Sequence, residues 1–193
     1  MTTFRALLTI VALMALGTLS ACQTTPKTEA GRENLQDESQ ATLNSYMRED
    51  PGMKEFLRNA YGYAVFPSIG KGGLIVGGAY GKGRVYEQGR AIGWADMTQA
   101  TVGAQIGGQS YSEIIAFENA QSLSNFKANK FAFSANASAV ALKSGASATA
   151  KYADGVAVFT MAKGGLMAEA SLGGQKFSYT SDADAGRTST TRP

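Results

Sequence analysis

The amino-acid sequence predicts an α+β domain: a strongly bent or barrel-like antiparallel β-sheet with N-terminal helices and one internal helix. Residues 29–60 place apolar side chains at helical spacing. From residue 61 onward the apolar runs become short or alternating and are separated by glycines. The 193-residue chain contains 23 glycines, which suit sharp bends and close backbone approach inside a curved sheet. Because strands dominate and helices cluster at the start and middle, the pattern is segregated α+β. A hydrophobic content of 44% and a mean hydropathy of -0.12 belong to an ordinary globular chain of one domain.

The first 21 residues read as a signal peptide. Their apolar run follows Arg5 and is interrupted by Thr9, Gly17 and Thr18. It is too short for a membrane span, which needs about 20 apolar residues. It ends in Leu19-Ser20-Ala21-Cys22, which resembles the bacterial lipobox: an apolar residue and two small residues before a cysteine whose thiol carries diacylglycerol. Cys22 is the single cysteine of the chain and the expected lipidation site; a plain secretory signal is the alternative. A lone cysteine allows no intrachain disulfide. One acyl chain binds membranes only marginally, whereas two or three anchor stably. Gln23 follows the cysteine, and by resemblance to such lipoproteins a residue other than Asp here implies outer-membrane sorting, so the expected location is the outer membrane facing the periplasm.

Residues 22–28 form a short polar tether with Pro26. Leu35, Leu43, Tyr46 and Met47 then make one stripe of a surface helix. Asp50-Pro51-Gly52 restarts a helix, with Asp50 as cap and Pro51 at the first helical position, and Met53, Phe56, Leu57 and Ala60 recur at i, i+3, i+4 and i+7. Strands are expected at 61–66, 73–80, 83–87, 91–96, 101–107 and 112–117. A helical interlude follows at 119–127 with Leu123 and Phe126. Further strands are expected at 138–142, 147–151, 156–161, 166–171 and 176–179. The domain so defined runs over 29–180, and the polar tail at 181–193 reads as disordered.

Catalytic chemistry finds little footing. The chain has no histidine and its one thiol is assigned to acylation, which removes Ser-His, Cys-His and the usual zinc arrangements. Acids are scattered, with no paired-carboxylate motif. Ser68-Ile69-Gly70-Lys71 fits SxxK formally, but lies in a Pro/Gly-rich stretch without its companion motifs. Gly81-Lys82 and Gly70-Lys71 both fail the Walker spacing. Gly73, Gly77 and Gly81 fit a small-xxx-small helix face, in a segment with too few apolar residues to span. No enzyme activity, cofactor, metal or nucleic-acid partner is expected. The net charge of +3 says little. Between residues 61 and 180, however, ten Lys/Arg stand against six acids, so the domain is mildly basic and suited to anionic head groups.

The stretch Tyr63-Ala64-Val65-Phe66-Pro67-Ser68-Ile69-Gly70-Lys71-Gly72-Gly73-Leu74-Ile75-Val76-Gly77-Gly78-Ala79-Tyr80-Gly81-Lys82-Gly83 resembles the opening of the SYLF domain family. Further matching blocks are Gln109-Ser110-Tyr111-Ser112-Glu113-Ile114-Ile115, Leu123-Ser124-Asn125-Phe126 and Lys163-Gly164-Gly165-Leu166-Met167-Ala168-Glu169. The resemblance covers about residues 47–179. It implies a non-catalytic lipid-binding module; the actin activity of some eukaryotic members does not suit an exported protein.

For that role Lys71, Lys82 and Arg84 lie in or beside the glycine-rich opening, where backbone amides and cationic tips could meet a phosphate. Lys54 and Arg58 flank Phe56 and Leu57 on a mixed basic and apolar helix face. The expected partner is membrane lipid: covalent lipid at Cys22 and anionic phospholipid at the domain. A structural or partner-binding envelope lipoprotein without a specific lipid is the alternative.

Overall fold

The computed structural model describes residues 26, 28–73, 76–102, 109–131, 133, 139–163 and 174–189. The signal peptide, Cys22, the strand expected at 166–171 and most of the closing glycine-rich block lie outside the described residues.

Helix α1 (Glu29–Glu49) starts where the Thr28 side chain accepts a hydrogen bond from the Gly31 N–H at 3.2 Å. It buries Leu35, Ser39, Thr42, Leu43 and Tyr46 along one stripe, as the spacing predicts. Asp50 ends this helix, and its carboxylate accepts from the N–H groups of Gly52 at 3.0 Å and Ser147 at 2.7 Å. Burial works against ionisation of Asp50, but these hydrogen bonds outweigh it and hold the carboxyl below its usual range. Helix α2 (Met53–Asn59) has Gly52 at its N-cap and no side-chain cap, so Asp50 caps the end of α1 instead and Pro51 lies outside the helix rather than at its first position; Met53 and Leu57 are buried.

The strands are β1 (Gly62–Gly73), β2 (Val76–Glu87), β3 (Arg90–Val102), β4 (Gln109–Phe117), β5 (Val140–Ala141), β6 (Val156–Ala162) and β7 (Gln175–Ser181). They form one seven-stranded sheet in the order β5-β6-β4-β1-β2-β3-β7. All pairs are antiparallel except β5 with β6. Helix α3 (Ala120–Lys127) follows β4 and is capped by Asn119, which accepts from Ser122 N–H. Helix α4 (Ala146–Thr149) precedes β6, and α5 (Asp182–Ser189) follows β7.

The sheet is strongly curled but not closed: β5 and β7 remain its edges. Inside the curl, Phe66, Ile69, Met97, Ile115, Phe117 and Phe177 form one core with Leu123 and Phe126 of α3. On the outer face, α1 and α2 cover Val65, Tyr86, Ile114 and Phe159. There the Tyr46 hydroxyl, fully buried, donates to the Ser112 carbonyl at 2.8 Å, and such pairing is what makes the burial of a hydroxyl tolerable.

Several expectations are corrected in detail. Of the runs expected at 73–80 and 83–87, Val76 to Glu87 is one strand, because Gly81 and Gly83 continue the ladder against β1 and β3, whereas Gly73 ends β1. The true break comes at Gln88 and Gly89, both at positive φ, which make a two-residue hairpin turn. Residues 147–151 are not a strand: their start is the short helix α4, entered through Gly145 at φ 79 and tied to Asp50. The tail is helical through Ser189, because Ala185 is buried with Leu35 and Trp94.

Candidate functional site

In a strand successive side chains point to opposite faces, so register decides which of the expected cations can meet. A β-bulge in β1 shifts the register between Val65 and Ser68, at Pro67, whose missing N–H is tolerated there. Beyond the bulge Ile69 points into the curl, so Lys71, two residues on, lies on the inner face, in register with Ala79 and Gln109. Lys82 pairs in register with Ser68 and Asp96, and Arg84 with Val65 and Trp94, on the outer face. The sheet therefore separates Lys71 from Lys82 and Arg84, correcting the expectation of one basic patch.

Arg84 is corrected further, since it is not presented to a ligand. It is buried, stacks over the Trp94 ring at 4.0 Å, and donates to Gln36, to the Gly93 carbonyl and to both carboxylate oxygens of Asp182, one of these at 2.9 Å. Its role is to join α1, β2, β3 and the start of α5. Lys82 keeps no ion pair among the described residues and lines a groove of about 510 Å³ with Pro26, Leu35 and Tyr80.

The glycine-rich opening is also structural in β2. A Cβ on Gly83 would lie 2.7 Å from the Val65 carbonyl and 2.8 Å from the Phe66 ring, and one on Gly81 would lie 2.6 Å from Ile69. These glycines make room for the large inward side chains of β1. Their strands are paired on both sides, so the backbone amides serve the ladders rather than a phosphate.

The α2 face is divided. Phe56 is half-buried and belongs to the packing: its ring stacks on Tyr152 at 5.4 Å and meets Phe159 edge-on at 5.1 Å. It is thereby removed from the expected lipid-contacting face. Lys54 and Arg58 are exposed, one helical turn apart. Both line a groove of about 550 Å³ with Met47, Leu57, Tyr61, Tyr63 and the Gln88–Gly89 turn. Arg58 binds Glu55 at 2.7 Å, and this hydrogen bond holds the Glu55 carboxyl below its usual range. A hydrogen bond to Glu87 raises the Tyr61 hydroxyl, and Tyr63, stacked on Tyr86 at 4.9 Å, is raised by burial. Both hydroxyls therefore stay neutral donors, and the groove combines two cations with an apolar, aromatic floor.

Tyr61 and Tyr63 were missed as groove residues. Tyr61 stands just before β1 and Tyr63 within it, and the sequence carries no sign that α2 folds back beside them. No described helix is long and apolar enough to cross a membrane.

Residues 98–186 match the family model described as Ysc84, Las17-binding protein actin regulator, from the end of β3 into α5. The chain is also similar to Beta cell expansion factor A of Aeromonas veronii, at 32% identity over 168 residues. That similarity takes in 85% of this chain, which spans 62% of the length of the relative. The inward residues of β4, α3 and β7 that build the core within the curl all lie inside the matched segment. By these matches residues 98–186 are assigned to the Ysc84, or SYLF, domain family.

Proposed function

We propose that this protein is a lipoprotein anchored through Cys22, whose SYLF domain binds anionic lipid head groups without catalysing a reaction. The observation that carries this reading is the groove in which Lys54 and Arg58 stand over Met47, Leu57, Tyr61 and Tyr63. A cation beside an apolar floor matches an amphiphile with a charged head and an apolar body, and each Lys or Arg near an anionic surface adds about 1 kcal/mol. The lipobox-like Leu19-Ser20-Ala21-Cys22 supports the anchor, and the absence of histidine from the chain supports a non-catalytic role. Actin regulation, named for the matched family, is not carried over to an exported protein.

The test is flotation of the C22S chain with anionic and neutral vesicles at low and high salt. Recovery with anionic vesicles that weakens with salt is expected. Equal, negligible recovery with both would favour a structural envelope role. Palmitate labelling of the parent but not of C22S is the parallel expectation for the anchor, and labelling of C22S would reject it.

A further inference from the structure

Two surfaces on this domain have lipid-compatible chemistry, and they lie at opposite ends of it. The groove at Pro26, Tyr80 and Lys82 is lined by the start of α1, from Gly31. The Lys54–Arg58 groove is lined by its end, at Met47. From Gly31, beside Pro26, to Met47 is sixteen residues of helix, about 24 Å, although the first groove runs on to Glu38, about 14 Å from Met47. A second ruler agrees: the first groove reaches Gly81 on β2 and the second Gln88, seven strand steps away, or about 23 Å.

The chain enters the domain at the first of these ends. Cys22 and Pro26 are four residue steps apart, and a fully extended chain of that length spans at most about 14 Å. Pro26 is itself held to the domain, because its carbonyl accepts from Arg32. A bilayer holding an acylated Cys22 therefore stays close to the Tyr80–Lys82 end. That end suits an interface: Tyr80 is the large apolar side chain exposed among the described residues, at 37%, and Lys82 lies beside it. The flank of α1 beyond that groove does not suit one, since it exposes Glu33, Asp37 and Glu49 against Arg48 and would be repelled by anionic lipid, whereas Glu38 lines the groove itself and offsets Lys82 there.

We infer that the domain stands end-on between two bilayers: the Pro26–Tyr80–Lys82 end rests on the membrane that holds its anchor, and the Lys54–Arg58 groove takes anionic lipid from a second, apposed membrane. This rests on the reading that Cys22 is acylated and that the groove binds lipid. The short tether holds the Pro26 end at the anchoring membrane, and the acidic flank of α1 opposes a flat pose that would bring the groove to that same surface.

The experiment reconstitutes the acylated full-length mature chain into neutral donor vesicles and adds fluorescent acceptor vesicles containing phosphatidylglycerol. Capture of acceptors by donors is the readout. The parent should capture them, and K54E/R58E should reduce capture at least tenfold while remaining on the donors. A Gly/Ser insertion of fifteen residues between Gln23 and Thr24, with phosphatidylglycerol also in the donors, should reduce capture several-fold, because the groove then reaches its own membrane. The parent with its short tether should be much less affected by donor phosphatidylglycerol. C22S flotation separates the two ideas. If C22S floats with phosphatidylglycerol vesicles but the acylated chain captures none, the end-on inference is overturned and lipid binding stands. If C22S does not float, lipid binding by the groove fails and the inference falls with it.

A direct check uses the consumption of the only thiol by the anchor: Tyr80→Cys or Gln88→Cys can be labelled uniquely. Head-group quenchers in the donor membrane should quench the label at 80 and spare the one at 88. The reverse pattern would overturn the orientation.

Discussion

Gln175 on β7 donates its side-chain amide to Glu113 on β4 at 3.2 Å, although three strands stand between them in the sheet. Only a sheet curled back on itself brings these residues together, so this bond spans the interior of the curl. It is a costly contact. Glu113 is completely buried, and its second carboxyl oxygen has no hydrogen-bond partner among the described residues.

Burial pushes the Glu113 carboxyl up to about 7 from an ordinary 4.5, and the Gln175 bond offsets this only in part. The folded chain thus keeps a proton that the unfolded chain releases, so stability falls as pH rises from about 4.5 to about 7 and stays reduced above that window. The loss attributable to this group is on the order of 3 kcal/mol. Glu113→Gln should match the parent at pH 4 and exceed it at pH 8 by up to that amount, read by urea unfolding. A constant difference between the two proteins across this range would reject the assignment.

The Arg84–Asp182 contact predicts a stability effect without a binding effect. Arg84→Lys retains the charge but loses the bidentate geometry and the stacking on Trp94, and should cost about 2 kcal/mol. Amide exchange in α5 should accelerate, because Asp182 begins that helix. Vesicle affinity of the folded variant should equal that of the parent. A tenfold loss of affinity with unchanged stability would return Arg84 to the lipid site.

Two glycines of the same motif should behave oppositely. Gly83→Ala drives a methyl into the Val65 carbonyl and the Phe66 ring and should cost about 1–3 kcal/mol. Gly70→Ala meets nothing within 4 Å and should lie within about 0.5 kcal/mol of the parent. Thermal unfolding of the pair tests whether the glycines serve packing; equal effects would count against that account.

For the groove, Lys54→Gln with Arg58→Gln removes two exposed charges. At about 1 kcal/mol each, affinity for anionic vesicles at low salt should fall roughly thirtyfold, with a much smaller change at high salt. Circular dichroism should be unaltered, since both side chains are exposed. An unchanged low-salt affinity would place the lipid contact elsewhere.

The α+β class, the two leading helices, the internal helix and most strands were legible in the sequence. Helical stripes such as Leu35, Leu43 and Tyr46, and alternating runs such as Tyr111 to Phe117, depend on local periodicity, and local periodicity is written in order along the chain. The chemistry of the candidate site was legible only in part. Lys54 and Arg58 share a helix face by spacing alone, and the structure keeps them together.

Lys71, Lys82 and Arg84 lie near one another in sequence, yet only tertiary structure could decide their fates. A one-residue bulge at Pro67 sets the face of Lys71. The return of α5 from a hundred residues away supplies Asp182 and buries Arg84. The tyrosines of the groove and the curl that joins Glu113 to Gln175 are likewise settled by contacts between distant segments. Side-chain type and spacing determine which local elements form, whereas the face, burial and partners of each charge follow from how those elements pack.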